Sequence, residues 1–206
     1  MHASDEEQLL QSLADIEEFL RDHGAASFAD SLRPGASDAA LAAAEAEMGA
    51  PLGALRTLYR WHDAQNWRRE REPLFEHMFF LDLKEACRHR STAVDCDVRP
   101  PSGTTLRDYH RSTTGFDERE LASDRWFPFA NTEGDYLAVN RESGKVARMV
   151  KGDLPWLRVE APDLGTFIGD YASWLWDGGA VMMGDPKQPG VVEEGLRWLG
   201  RDFGRG

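Results

Sequence analysis

The spacing of apolar residues changes twice along this chain, and few folds accommodate both changes. Leu9, Leu13, Ile16 and Leu20 recur at i, i+4, i+7 and i+11, the stripe of an amphipathic helix. From Trp126 the period shortens to two, best seen in Asp135-Tyr136-Leu137-Ala138-Val139-Asn140. Helical spacing then returns in Leu164, Phe167, Ile168, Tyr171 and Leu175. Helices, then a run of strands joined by short turns, then helices predicts an α+β fold: one mostly antiparallel sheet of about five to six strands, with helices packed against it.

Local punctuation sharpens this outline. Ser4 and Glu7 form a capping box ahead of the first helix, and Gly24 is its expected stop. Arg33-Pro34-Gly35-Ala36 reads as a turn, Ser37 as the cap of a second helix running to Met48, and Gly49 as its end. Pro51 suits the first turn of a third helix, with Leu55, Leu58, Tyr59 and His62 on one stripe. Leu74-Phe75 and Met78-Phe79-Phe80-Leu81 read as strand, and Asp82 with Glu85 as a capping box opening a short helix. Residues 95–124 have little periodicity and read as a long loop. The proline in Trp126-Phe127-Pro128-Phe129-Ala130 predicts an edge strand or a strand start. Turns at Asn131–Gly134 and Glu142–Lys145 separate it from two further strands, and Trp156–Val159 supplies one more. Residues 1–183 are thus expected to form one domain with an acidic N-terminal helix. Residues 184–206 read as a short linker and a C-terminal helix, with Val192, Leu196, Leu199 and Phe203 on one face, packed on the same domain.

Charge and composition limit function. The chain carries 36 acids against 24 bases, a net charge of −12. Residues 1–50 hold eleven of the acids and only Arg21 and Arg33, so the excess is concentrated at the front. A field of this sign repels phosphate backbones and attracts basic proteins, so a protein partner is expected and nucleic acid is not. Asp15, Glu17, Glu18 and Asp22 on the first helix form a candidate acidic surface. No apolar run approaches the ~20 residues of a membrane helix, no secretory leader is evident, and two cysteines, Cys87 and Cys96, make no disulfide framework. The expectation is a cytoplasmic protein with no membrane association.

Signatures of chemistry are missing. The six histidines lack metal-ligand spacing, and the glycine-rich stretches match neither a phosphate-binding loop nor a nucleophile elbow. No catalytic residue, metal site or cofactor is therefore assigned. His62-Asp63 and Glu76-His77 are neighbours in sequence, but adjacent side chains point in different directions. A hydrolase using His62, Asp63 or Glu76 is the enzymatic alternative. Among loops, Asp63, Asn66 and Trp67 in one and Glu133 with Asp135 in another are the candidate partner-binding residues, because recognition is commonly carried by loops on a rigid scaffold.

Several segments together resemble a known family. Ala44-Glu45-Ala46-Glu47-Met48-Gly49-Ala50-Pro51-Leu52 precedes Leu55 to Asn66, which contains Tyr59, His62 and Asp63. Phe80-Leu81-Asp82-Leu83-Lys84-Glu85-Ala86, Trp126-Phe127-Pro128-Phe129-Ala130, Gly134-Asp135-Tyr136-Leu137-Ala138-Val139 and Gly144-Lys145-Val146 follow in order. Over about residues 38–177 this resembles the SUKH superfamily of bacterial toxin-immunity proteins and fungal cell-wall assembly regulators. The resemblance implies a non-enzymatic protein-binding module. An immunity protein that blocks a basic toxin domain is the first expectation, and a regulatory scaffold without a toxin the alternative. Three positions depart from the family pattern: Ala64 stands where glycine is usual, Gly53 where proline is frequent and Asn140 where aspartate is common.

Overall fold

A computed structural model describes residues 3–23, 25–66, 73–75, 78–94, 125–132, 134–150, 156–183 and 195–198. The chain opens with α1 (Ala3–Asp22) and a single turn, α2 (Ala26–Ala29). Strand β1 (Leu32–Pro34), helices α3 (Asp38–Met48) and α4 (Ala54–Trp61), and strand β2 (His62–Gln65) follow. Next come β3 (Phe79–Phe80), α5 (Leu83–Val94), and the meander β4 (Trp126–Thr132), β5 (Asp135–Asn140), β6 (Val146–Val150) and β7 (Trp156–Ala161). Helix α6 (Leu164–Trp174) runs into a π-turn at Leu175–Gly179 and then a hairpin of β8 (Ala180–Met183) and β9 (Gly195–Trp198). The arrangement is α+β. Its main sheet is antiparallel in the order β3-β4-β5-β6-β7, and β1-β2 and β8-β9 form separate antiparallel pairs.

One face of the main sheet supplies Phe127, Phe129, Leu137, Val139 and Val146 to the principal core, which is closed by Leu9, Leu13, Ile16 and Leu20 of α1 and by residues of α4 and α6. The opposite face buries a smaller group of Trp126, Tyr136, Ala138, Ala147 and Met149. The Phe75 ring gathers the principal core: the rings of Phe80, Phe129, Phe167 and Tyr171 lie 5.9, 5.7, 6.1 and 5.5 Å from it. The Tyr171 hydroxyl donates to the Leu74 carbonyl, so a short non-repetitive segment is pinned between sheet and helix. Helix α1 lies along α6 and also touches α4. Burying Leu9, Leu13, Ile16, Phe19 and Leu20 contributes about 10 kcal/mol as an upper figure, comparable with the whole stability of a domain.

Much of the punctuation is realised. Ser37 Oγ accepts from Ala40 N at 3.2 Å, and Gly49 ends α3 at φ 65°. Asp82 Oδ1 accepts from Glu85 N at 2.6 Å, opening α5. Asn140, fully buried, accepts from the amides of Glu142 and Ser143 and so shapes the β5–β6 turn. Asp163, not singled out from the sequence, caps α6 through Thr166 N at 2.8 Å.

Other expectations are corrected. His62 does not continue the stripe of α4; it is extended and opens β2, and Pro51 precedes α4 by three residues, with Gly53 at the cap. Ser4 lies inside α1, which begins at Ala3. Strand β4 is internal, not an edge. It tolerates Pro128 because the β3 ladder reaches only Ala130 and Asn131, and because Pro128 adjoins a bulge at Phe129. The helix expected through Leu196 is contradicted at Gly195–Trp198, which pair as a strand with Ala180–Met183. Alternation in Gly195-Leu196-Arg197-Trp198 there prevails over the wider spacing of Val192, Leu196, Leu199 and Phe203. Gly24, the proposed loop at 95–124, and the linker at 184–190 lie outside the described residues.

Two departures from the family pattern have a conformational meaning. Gly53 sits at φ 59°, ψ −131°, a region closed to proline, whose ring holds φ at about −65°. Ala64 sits at φ 86°, where glycine would be at ease and an L side chain is strained. We expect Gly53→Ala to lower stability by about 1–3 kcal/mol. Ala64→Gly, by contrast, should leave stability unchanged or raise it by up to about 1 kcal/mol, strain relief outweighing the lost methyl. Urea unfolding midpoints of the two variants check both signs.

Candidate functional site

The direct passage from α4 into β2 decides where the first candidate loop points. β2 pairs with β1, with Leu32 opposite Gln65 and Pro34 opposite His62. Gly35 lets β1 leave against α4, since a Cβ there would stand 1.9 Å from the Arg60 carbonyl oxygen. Arg33 therefore projects beside Asp63 and Asp82, with Nη1 3.1 Å from Asp82 Oδ2 and Nη2 3.6 Å from Asp63 Oδ2. The second oxygen of each aspartate serves α5: Asp63 Oδ1 accepts from Leu83 N at 2.8 Å while Asp82 takes Glu85 N. Two of the amide donors that a helix start leaves unsatisfied are thereby met by side chains from two elements. Asp63 is thus a capping residue held by a guanidinium.

Beside this cluster opens a cleft of about 1040 Å³, with Arg33, Asn66, Asp82, Glu85, His89 and Asn131 on its walls. Asn66 is held by its own amide, which donates to the Ser31 carbonyl at 2.9 Å, and Gln65 Oε1 accepts from the buried Leu74 amide. Phe79 of β3 pairs with Asn131, and Thr132 pairs with Asp135 across the β4–β5 turn. The fold therefore brings Asn66 to the same cleft as Asn131, near the turn that carries Asp135. Trp67 and Glu133 lie outside the described residues. The cleft residues Glu85, His89 and Asn131 were missed from the sequence; Glu85 and His89 stand one turn apart on α5, but Asn131 lies far along the chain and is brought near by the pairing of β4 with the short β3.

Several groups in and around the cleft have partners within the fold. His62 Nδ1 lies 2.7 Å from the Arg33 carbonyl oxygen, and its Nε2 faces Glu17 Oε2 at 3.5 Å. Asp63 points the other way, into the start of α5, so His62 and Asp63 form no acid–base pair. Glu76 of the enzymatic alternative lies outside the described residues. His89 Nδ1 stands 3.3 Å from the Tyr136 hydroxyl. Burial pushes the Cys87 thiol up to about 11, with Glu47 adding to the effect, so it stays protonated at neutral pH and is a poor nucleophile. No group of His, Cys, Asp and Glu able to hold a metal ion occurs among the described residues.

The acidic helix divides its charges. Glu17 turns inward toward His62 and pairs with Arg21 at 2.9 Å. Asp15 accepts from Gln11 Nε2 at 2.8 Å, while Glu18 and Asp22 are exposed. Burial works to raise the Glu17 pKa, but the Arg21 hydrogen bond and the His62 ring outweigh it and hold the carboxyl below its ordinary 4.5. A depressed carboxylate stabilises the fold above its unfolded pKa, and that contribution is lost as pH falls through the lower folded value. Glu17→Gln should therefore cost less than about 1 kcal/mol at pH 7, since the pair is largely exposed. The difference from the parent should vanish as the pH drops below the ordinary carboxylate range, which denaturant melts at a series of pH values read directly. At the other site, Asp63→Ala should lower stability by about 1 kcal/mol at neutral pH through loss of the α5 cap.

Among the described residues no helix is long and apolar enough to cross a membrane. None of the curated proteins compared with the chain matches it. The model of the SMI1 / KNR4 family (SUKH-1) matches residues 35–170, a span that holds β2, α5, the whole meander and the cleft walls apart from Arg33. With well over half of its length matched in this way, the chain belongs to the SMI1 / KNR4 (SUKH-1) family.

Proposed function

We propose that this protein is an immunity protein that neutralises a cognate bacterial toxin in the cytoplasm by covering part of its surface, without chemistry of its own. Family membership is the observation that carries the reading. The cleft supports it: its side chains cap helices and pair with one another instead of converging on a reacting atom. The concentration of negative charge in the first 50 residues supports a basic partner, because complementary fields speed encounter and discriminate against wrong partners. A nuclease domain, with a basic substrate cleft, has the matching surface.

The test is co-expression with the toxin encoded beside it. The expected result is restored growth together with a complex that survives gel filtration, and an association rate that falls steeply as salt is raised. Growth arrest with no complex overturns the immunity reading. The absence of any neighbouring toxin gene, with a stable complex to a regulatory protein instead, replaces it by the scaffold reading.

A further inference from the structure

Helices α1 and α6 meet along a seam of small residues. Gly165, Gly169 and Ala172 follow at i, i+4 and i+7 on α6, against Gln8, Ser12 and Asp15 at the same spacing on α1. The seam opens outward into a groove of about 630 Å³ whose lining includes Asp15, Asp170 and Asp177 and, among the described residues, no basic one.

Two further features separate this groove from a merely solvated acidic face. Ser12 is only 9% exposed and lines the groove, its Oγ lying 3.6 Å from where a Cβ at Gly169 would stand. Among the described residues no group hydrogen-bonds to that hydroxyl, although a helical serine ordinarily bonds back to its own helix. At one end stands Trp176, 46% exposed yet fixed. Its indole Nε1 donates to the Asp15 carbonyl at 3.3 Å, and its ring meets Phe19 and His23 edge-on at 5.4 and 5.3 Å. A large aromatic held rigidly and left half in solvent loses little freedom when covered, which suits it to anchor an interface.

We infer that this groove is the docking surface for the protein partner and receives an arginine side chain from a basic patch of that partner. The guanidinium stacks on the indole of Trp176, lies among the carboxylates of Asp15, Asp170 and Asp177, and donates to Ser12 Oγ. Arginine fits better than lysine because its plane matches the indole face and its several donors reach carboxylates and hydroxyl together. The assignment rests on the protein-binding reading and adds the surface to it. Helix α1, Trp176 and Asp177 lie outside residues 35–170 while Gly165, Gly169 and Asp170 lie within, so this surface straddles the end of the segment that the family model describes.

The full chain is titrated with the blocked peptide acetyl-Gly-Arg-Arg-Gly-amide, and with its Gln-Gln counterpart, while amide and indole NMR shifts are recorded. The arginine peptide is expected to move residues 8–15 and 165–177 and the indole resonance assigned through Trp176→Phe, with the glutamine peptide silent. Trp176→Ala should weaken the arginine peptide roughly fivefold. The triple variant D15N/D170N/D177N should weaken it by at least about tenfold, and the equal-charge control E18Q/D22N/E47Q by less than about threefold. Each variant is first checked by thermal unfolding, and Ser12→Ala serves as a smaller second probe. Equal weakening by both triples, shifts that map elsewhere, or the same shifts appearing without peptide as the chain is concentrated would each overturn the assignment. A toxin complex indifferent to the groove triple overturns it too, while the immunity reading stands. Peptide binding in the groove with no toxin complex overturns the immunity reading and retains the groove.

Discussion

The packing around Phe75 holds the two halves of this protein together. Its ring touches β3, β4 and α6 at once, and the adjacent Leu74 carbonyl takes the Tyr171 hydroxyl. Without it, the meander and the closing helix would share only their flat faces. With it, a short stretch of irregular chain becomes the point where edge strand β3, its neighbour β4 and helix α6 are placed relative to one another. The cleft depends on this directly, since Asn131 reaches it only because β3 is pinned against β4.

Around that core the charged residues act mainly as fasteners. Arg33 ties β1 to both aspartates that cap α5, Arg56 and Arg60 tie α4 to Asp38 of α3, and Glu17 faces His62 across from α1 to β2. Such pairs are weak singly, yet each joins two different elements and so sets orientation more than stability. The α1–α6 seam lies apart from these pairs, its groove lined by Asp15, Asp170 and Asp177 beside an anchored indole.

The strongly periodic elements were legible in the sequence because one residue type at one spacing carries them: α1, the meander and α6 follow directly from Leu9–Leu20, Asp135–Asn140 and Leu164–Leu175. Caps were legible for the same reason, as Ser37, Gly49 and Asp82 show. What escaped was decided by tertiary context. His62-Asp63-Ala64-Gln65 has no strand pattern of its own and is drawn into β2 by pairing with β1. Pro128 looked like an edge marker, but the shortness of β3 makes an internal strand safe for it. Gly195–Trp198 carried two overlapping periods, and pairing with β8 selected the shorter. Of the anticipated site residues, Asp63 proved a helix cap and Asn66 lines the cleft. Trp176 gave no sequence signal beyond its place before Asp177-Gly178-Gly179, because exposure of a tryptophan is a property of the packed surface alone.

The burial of α1 carries a practical lesson about boundaries. Family resemblance begins at residue 35, yet four leucine and isoleucine side chains upstream of that point are sealed in the interior against α6. A fragment trimmed to the recognisable segment would end before Tyr171 and present Phe167 and Ile168 to water, losing free energy comparable with the whole stability of a domain. The unit that evolution repeats across relatives and the unit that folds are here two different lengths of polypeptide.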